Sequence, residues 1–303
     1  MLKIIQKRKY AYAFSIITTI VSIVLIAMWG LNFGIDFKGG TLMEVRFQTE
    51  AIPEVREVSD KLAPLSLNSL TLQPTGDHEK QGMLLRYLAS DEAANDQVLE
   101  VLRTFDPEVE QLRVDFIGGS VSDQIKKNAF TGITLSIVGI ALYIAWAFRR
   151  VSGTVSSWEY GLGAIIALTH DILVVIGIFA VLGKFYGIEV GVPFIAALLT
   201  ILGYSVNDTI VVYDRVRENL LRSVKKEDFE NIVNRSLNET LGRSINTSMT
   251  VIITLIAIVI FGGESIRYFG VALLAGVVFG TYSSIYIASA LLVTRYKMKT
   301  KES

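Results

Sequence analysis

Long apolar runs alternate with polar interruptions along the chain, and six of the runs are long enough to cross a hydrocarbon core as helices, which takes about 20 residues. They are 11–31, 130–148, 160–182, 192–213, 245–262 and 268–294, and the last has length to spare for tilting or for extending beyond the bilayer. Between the first and second runs the pattern shortens. Residues 41–47 alternate as a strand, and 53–62 have helical spacing with Pro53 near the first turn. Residues 70–73 and 83–89 read as a hairpin around the polar segment 74–82. Ser90 is placed to cap a helix running to Phe105, with Asp91 and Glu92 in its first turn, and 109–117 closes as a strand. The order β-α-β-β-α-β is that of a ferredoxin-like unit. The expected fold is a polytopic α-helical membrane protein of six transmembrane helices with an inserted α+β ferredoxin-like extracytoplasmic domain between helices 1 and 2. The division expected is residues 1–31 for the cytoplasmic N-terminus and first helix, 32–128 for the domain, and 129–303 for helices 2–6 and a cytoplasmic C-terminus.

Charge supplies the direction. With the N-terminus inside, the cytoplasmic segments carry Lys3, Lys7, Arg8 and Lys9, then Arg149 and Arg150. Arg215, Arg217, Arg222, Lys225, Lys226, Arg235 and Arg243 follow between spans four and five, and Arg295, Lys297, Lys299 and Lys301 at the end. The short outer loops carry only Lys184 and Arg267, so both termini are expected in the cytoplasm by the positive-inside rule. The first run is too long for a signal-peptide core, and Ala27-Met28-Trp29 is a poor cleavage site, so it reads as an uncleaved anchor.

Composition narrows the function. Hydrophobic residues make up 51% and charged ones 19%, and Lys+Arg equals Asp+Glu at 29 each, which leaves no global basic field for nucleic acid. There is no cysteine, and His78 and His170 are the only imidazoles. Zinc spacing, nucleophile motifs and phosphate-binding loops are missing, so no cofactor and no enzymatic activity are expected; Gly183-Lys184 lacks the upstream glycine of a P-loop. His78 falls in a polar loop and reads as a solvated surface residue.

The informative residues are polar ones inside the spans, where each is costly. Thr200, Tyr204 and Asp208 recur every four residues on span four, with Asn207 beside Asp208. Arg243, Asn246 or Thr247, Thr250 and Thr254 make a polar stripe on span five, and Asp208 is the best candidate partner for Arg243. Span three carries His170-Asp171. Asp208 and Arg243 suggest a proton or ion path; the plainer readings are an interhelical hydrogen bond for Asp208 and snorkelling for Arg243. Tyr204, Asn207 and Thr247 are possible polar support, and so are His170 and Asp171, whose plainer reading is helix glue. On span six, Gly276, Gly280, Ser283, Ser284 and Ala288 form a small-residue face suited to close packing.

Three segments carry a family resemblance. The run 34–40, Gly-Ile-Asp-Phe-Lys-Gly-Gly with Asp36, Gly39 and Gly40, resembles the signature after the first span of the SecF members of the SecD/SecF protein-export family. Residues 203–219 are similar to that group's fourth-span motif, with Tyr213 where a Phe is common, and 237–248 resemble the start of its fifth span. The resemblance covers essentially the whole chain. It implies an accessory subunit of the Sec translocase of the bacterial cytoplasmic (inner) membrane, which with SecD uses the proton-motive force to promote preprotein export. The implied partners are SecD, the SecYEG channel, possibly YajC, the translocating preprotein and membrane lipids, with no nucleic acid. By the same carry-over Asp208 and Arg243 match proton-pathway positions. The layout also resembles half of a resistance-nodulation-division transporter, so the alternative is a half-transporter exporting a small molecule or lipid; a purely structural channel subunit is a third reading.

Overall fold

In a computed structural model of the chain, residues 1–48, 53–75, 82–88, 93–149, 155–223 and 227–302 are described. His78, Ser90, Asp91 and Glu92, with the turn and cap expected of them, lie outside the described residues. The chain divides into two compact units, Met1–Asn32 with Ala129–Ser303, and Phe33–Asn128.

The smaller unit begins with the short helix α2 (Ile35–Lys38) and continues through β1 (Gly40–Arg46), α3 (Val55–Leu62), β2 (Asn68–Thr75), β3 (Gly82–Leu88), α4 (Ala93–Arg103) and β4 (Glu110–Ile117). The strands form one antiparallel sheet in the order β2-β3-β1-β4, so the chain folds as the α+β unit its alternation suggested. Met43 and Val45 on β1, Met83 and Leu85 on β3, Val58 and Leu62 on α3, and Val98 and Leu102 on α4 are all fully buried, so one sheet face and the two helices enclose the core. Helix α3 starts after Glu54, leaving Pro53 outside it, and β2 runs on through Pro74. Pro74 is tolerated because β2 is an edge strand and need not donate there. Gly40 has φ +111°, and a Cβ on it would stand 2.6 Å from the Tyr87 carbonyl oxygen, so the turn into β1 needs glycine.

The larger unit contains α1 (Arg8–Trp29), α5 (Gly119–Ala147, whose first turns fall in the smaller unit), α6 (Ser157–Tyr186), α7 (Val192–Arg222), α8 (Phe229–Phe261), α9 (Glu264–Ser283) and α10 (Ser289–Glu302). Among the described residues, six helical stretches are long and apolar enough to span a membrane: Ile5–Trp29, Gly119–Ala147, Ser157–Tyr186, Val192–Arg222, Phe229–Phe261 and Ile266–Thr300. Helices α7 and α8 run further than the apolar pattern requires. Their polar ends are held by Asn219 Nδ2 donating to Ser236 Oγ at 3.0 Å and Arg215 Nε donating to Glu239 Oε2 at 2.6 Å. The sixth stretch is interrupted by a π turn at Ser284–Ala288, which separates α9 from α10.

The small residues of α9 pack within the chain. A Cβ on Gly276 would lie 2.2 Å from Ile201 Cγ1, and one on Gly280 would meet Ser205 Cβ at 3.1 Å, so α9 lies directly against α7. Helix α6 approaches α1 in the same manner, Gly177 against Ser22. Helix α5, by contrast, turns Phe130, Leu135, Leu142 and Trp146 outward.

Candidate functional site

Asp208 sits in the middle of α7, and that helix exists there because 192–213 is nearly free of charge, starting behind Gly191 with Pro193 in its first turn. The side chain is only 8% exposed. Both carboxylate oxygens have partners: Ser244 Oγ of α8 donates to Oδ1 at 2.6 Å, and Ser284 Oγ, the first residue of the π turn, donates to Oδ2 at 2.5 Å. Asp208 thus joins three elements through neutral hydroxyls.

The partner expected from the sequence stands elsewhere. No ion pair joins Asp208 to Arg243 among the described residues; Arg243 is exposed, and the residue after it, Ser244, is the one turned into the bundle. The physical reason is the helical step of about 100° per residue, which sends neighbours on α8 to different sides. Thr247, Thr250 and Thr254 are exposed with Arg243, and Thr200, Gly203 and Asn207 are exposed on α7. The hydroxyl of Thr247 donates to the carbonyl of Arg243 at 2.9 Å, on its own helix. Tyr204 does reach the site region: its hydroxyl donates to Ser248 Oγ at 3.0 Å, and Ser248 Oγ lies 2.5 Å from Thr281 Oγ1.

His170 and Asp171 are brought together with more of the bundle than their adjacency required. Asp171 is fully buried. Its Oδ1 is 3.0 Å from His170 Nδ1, and its Oδ2 accepts from Ser205 Oγ at 2.7 Å and Ser283 Oγ at 2.6 Å. His170 Nε2 lies 3.3 Å from Thr18 Oγ1 on α1. Ser205 and Ser244 carry no local signal of a role, and the spacing of Ser283 and Ser284 points only to close packing. The available signal was hydroxyls at buried positions facing a carboxylate, which a single chain of letters does not pair.

Tyr213, the departure from the usual Phe, is buried and donates to the Ala288 carbonyl at 3.2 Å, at the end of the π turn. In the smaller unit, Gly39 (φ +76°) and Gly40 form the turn between α2 and β1, with Asp36 in the first turn of α2. Among the described residues, no group of three or more His, Asp or Glu could hold a metal ion.

Comparison with known proteins locates this arrangement in a family. The family described as protein export membrane protein SecD/SecF, C-terminal, matches residues 97–298, and the SecD/SecF GG motif matches 24–51, which includes Gly39 and Gly40. The protein translocase subunit SecF of Thermobaculum terrenum is 42% identical, over 97% of this chain and 94% of that protein. That of Anaerolinea thermophila is 38% identical, again over 97% and 94%. Among solved structures, SecDF of Thermus thermophilus, a translocon-associated membrane protein, superposes with a TM-score of 0.81 at 31% identity over 97% of this chain. SecDF in its super-membrane-facing form gives 0.68 at 30% identity over 99%. This chain spans 38% and 39% of those two SecDF chains. With matches of this extent in both sequence and fold, the chain belongs to the SecD/SecF family of protein-export membrane proteins.

Proposed function

We propose that this protein is an accessory subunit of the Sec translocase that works with SecD and uses the proton-motive force to promote preprotein export, with Asp208 as its proton carrier. The observation that carries the reading is the seat of Asp208: a buried carboxyl inside the spans, held by hydroxyls from α8 and the π turn rather than by a cation. An ionised form leaves a net charge in the bundle, and taking up a proton removes it. The proton also changes the hydrogen bonding. A carboxylate accepts from both serines, whereas the acid has one oxygen that must donate. Loading and unloading therefore rearranges the contacts among α7, α8 and the π turn. One charge moved through 100 mV is worth about 2.3 kcal/mol, so a few protons per cycle supply enough free energy for a domain movement.

The partnership with SecD is supported by the polar face that the chain leaves exposed. Arg243, Thr247, Thr250 and Thr254 on α8, with Thr200 and Asn207 on α7, are a poor surface to present to lipid. A second membrane half of matching polarity would cover them. The SecDF chain, of which this protein spans under two-fifths, has room for one. Arg243 on that face then serves the proton path from the interface side. The SecYEG channel, YajC and the emerging preprotein belong to the same reading. So do a place in the cytoplasmic (inner) membrane, both termini inside, residues 32–128 outside, and the absence of ATPase or hydrolase chemistry. The smaller unit would then handle the preprotein.

The test is export driven by a proton gradient in vesicles holding this protein, SecD and the channel. Asp208→Asn and Arg243→Met are expected to abolish the gradient-dependent part while the variant subunits still co-purify with SecD. Normal gradient-driven export by both variants overturns the proposal.

A further inference from the structure

Asp171 is the second carboxyl buried among the spans, and the proton path through Asp208 and Arg243 does not use it. Its exposure is zero, and its partners are two serine hydroxyls and an imidazole. Ionised beside a neutral imidazole, a carboxylate so placed leaves a net charge in the bundle; taking up one proton makes the pair neutral overall, either as imidazolium with carboxylate or as imidazole with the acid. In either form, His170 and Asp171 share a proton across the 3.0 Å between Nδ1 and Oδ1.

We propose that His170 and Asp171 are a second proton-binding site of the bundle, tied to Asp208 through Ser283 and Ser284. This rests on the proton-carrying reading of Asp208. The link is one backbone step long. Ser283 Oγ donates to Asp171 Oδ2 on α6, and Ser284 Oγ, the next residue, donates to Asp208 Oδ2 on α7. Successive residues of a helix splay by about 100°, which is what lets adjacent serines serve two different helices. A second tie runs along α7, where Ser205, also a donor to Asp171, stands three residues before Asp208. Neither carboxyl can change its hydrogen bonding without disturbing a serine whose neighbour, or whose own helix, holds the other.

The imidazole gives the pair an outer edge. His170 Nε2 is 3.3 Å from Thr18 Oγ1, and the ring forms part of the wall of a largely apolar cleft of about 530 Å³ bounded by α1, α6, the π turn and α10, together with Ser15 and Thr169. A proton taken up at Nε2 is balanced by passage of the Nδ1 proton to Asp171 Oδ1. The imidazole ends neutral with its proton moved to the other nitrogen, and the carboxylate ends as the acid. The helices and turn packed most extensively against α6 are α1, α7, α9, α10 and the π turn. Their titratable side chains along the apolar stretch are Tyr12 on α1, Tyr204, Asp208 and Tyr213 on α7, Tyr268 and Tyr282 on α9 and Tyr286 in the π turn. Their other charged groups lie toward the helix ends, so His170 is the group able to bring positive charge next to Asp171.

The test is infrared difference spectroscopy of the full chain, co-purified with SecD and returned to lipid vesicles, across a pH titration. A protonated buried carboxyl has its own carbonyl stretch. Two such bands are expected, one lost in Asp171→Asn and the other in Asp208→Asn. Ser283→Ala keeps both carboxyls and removes one donor from Asp171. It is expected to displace the frequency of the Asp171 band and to move the titration midpoint of the Asp208 band, which a merely structural role for Ser283 would not do. His170→Gln is expected to keep both bands and shift the titration of the Asp171 band. If the spectra of Asp171→Asn and Ser283→Ala match the parent throughout the titration, the second site is overturned. This outcome is separable from the export assay: a single titrating band assigned to Asp208 sinks the second site alone, while undisturbed gradient-driven export in Asp208→Asn sinks the proton-carrying reading itself.

Discussion

Asp208 on α7 and Ser284 at the start of the π turn are joined by a hydrogen bond of 2.5 Å inside the membrane-spanning bundle. The bond ties the middle of one span to the irregular point of another. A π turn leaves the i→i−4 ladder out of register, and here the hydroxyl of Ser289 returns to the Ser284 carbonyl at 2.9 Å. Helix irregularity, serine and carboxyl are thus found at one place.

Removing one of the two hydroxyls from Asp208 should therefore slow gradient-driven export without ending it. Ser284→Ala and Ser244→Ala each leave the carboxyl with one donor. A single hydrogen bond is worth about 1 kcal/mol net, so a loss of roughly five- to tenfold in gradient-dependent rate is expected for each. Replacing both serines should cost more than the product of the single effects, because the carboxyl then has no donor left in the bundle. Initial rates of preprotein protection in vesicles, with and without the gradient, measure this. Rates in the double variant equal to the parent would remove the serines from the mechanism.

The turn into the sheet offers a test in the smaller unit. Gly40 has φ +111°, and a side chain there would press on the Tyr87 carbonyl at 2.6 Å. Gly40→Ala should cost about 1–3 kcal/mol in backbone strain, before any displacement of β3 is counted. Gly118, around which nothing lies within 4 Å of an added Cβ, provides the control: Gly118→Ala should be nearly neutral. Hydrogen exchange at the amides of β1 and β3 is the measurement. Loss of protection in the first variant and its retention in the second is the expected result.

Tyr87 gives the smaller unit an alkaline limit. Burial pushes its hydroxyl up to about 12 from the ordinary value near 10, and the hydroxyl donates to Asn95 Oδ1 at 2.7 Å. The folded state holds this proton more tightly than the unfolded chain does. The stabilisation is therefore complete below pH 10 and is lost as pH rises from about 10 to about 12. Tyr87→Phe should remove this part of the pH dependence and flatten the stability of β3 across that interval. Exchange protection of the β3 amides, followed with increasing pH in the parent and the variant, gives the comparison. Identical slopes in the two proteins would refute the assignment.

The architecture was legible because membrane spans and short amphipathic strands are written in local periodicity. Apolar length found the six spans, and alternation found all four strands, including β1 within one residue of its position. Gly39 and Gly40 were legible only as part of a family signature, not as the turn they form. Partnerships across the bundle were not legible. Asp208 and Arg243 were natural partners by charge, yet Ser244 takes the inward position because adjacent residues on α8 diverge. Ser283 and Ser284 looked like spacers in a small-residue face. Their hydroxyls acquire a role only once α9 lies against α7 and the two carboxyls stand opposite them. The π turn has no local signature either, since it satisfies hydrogen bonds set by tertiary contact.

The contact between α9 and α7 can be tested by moving bulk from one helix to the other. Gly276 lies so near Ile201 that an added Cβ would fall 2.2, 2.4 and 2.8 Å from three side-chain carbons of the isoleucine, which is itself buried. Gly276→Ala should force the helices apart and cost about 1–3 kcal/mol by overpacking. Ile201→Ala alone should cost about 2–5 kcal/mol through the cavity it leaves. Together the two changes should cost less than their sum, because alanine at 276 occupies part of the space vacated at 201 and the three clashing carbons are gone. A coupling of about 0.5–3 kcal/mol is typical for residues in such contact. Thermal melting of the purified protein and its three variants, in one detergent and at one concentration, reads the cycle. Strict additivity would mean that α9 and α7 are not in contact at this point. Separation of these helices would also withdraw Ser283 and Ser284 from their carboxyls, so Gly276→Ala should weaken gradient-driven export as well, and Ile201→Ala should partly restore it.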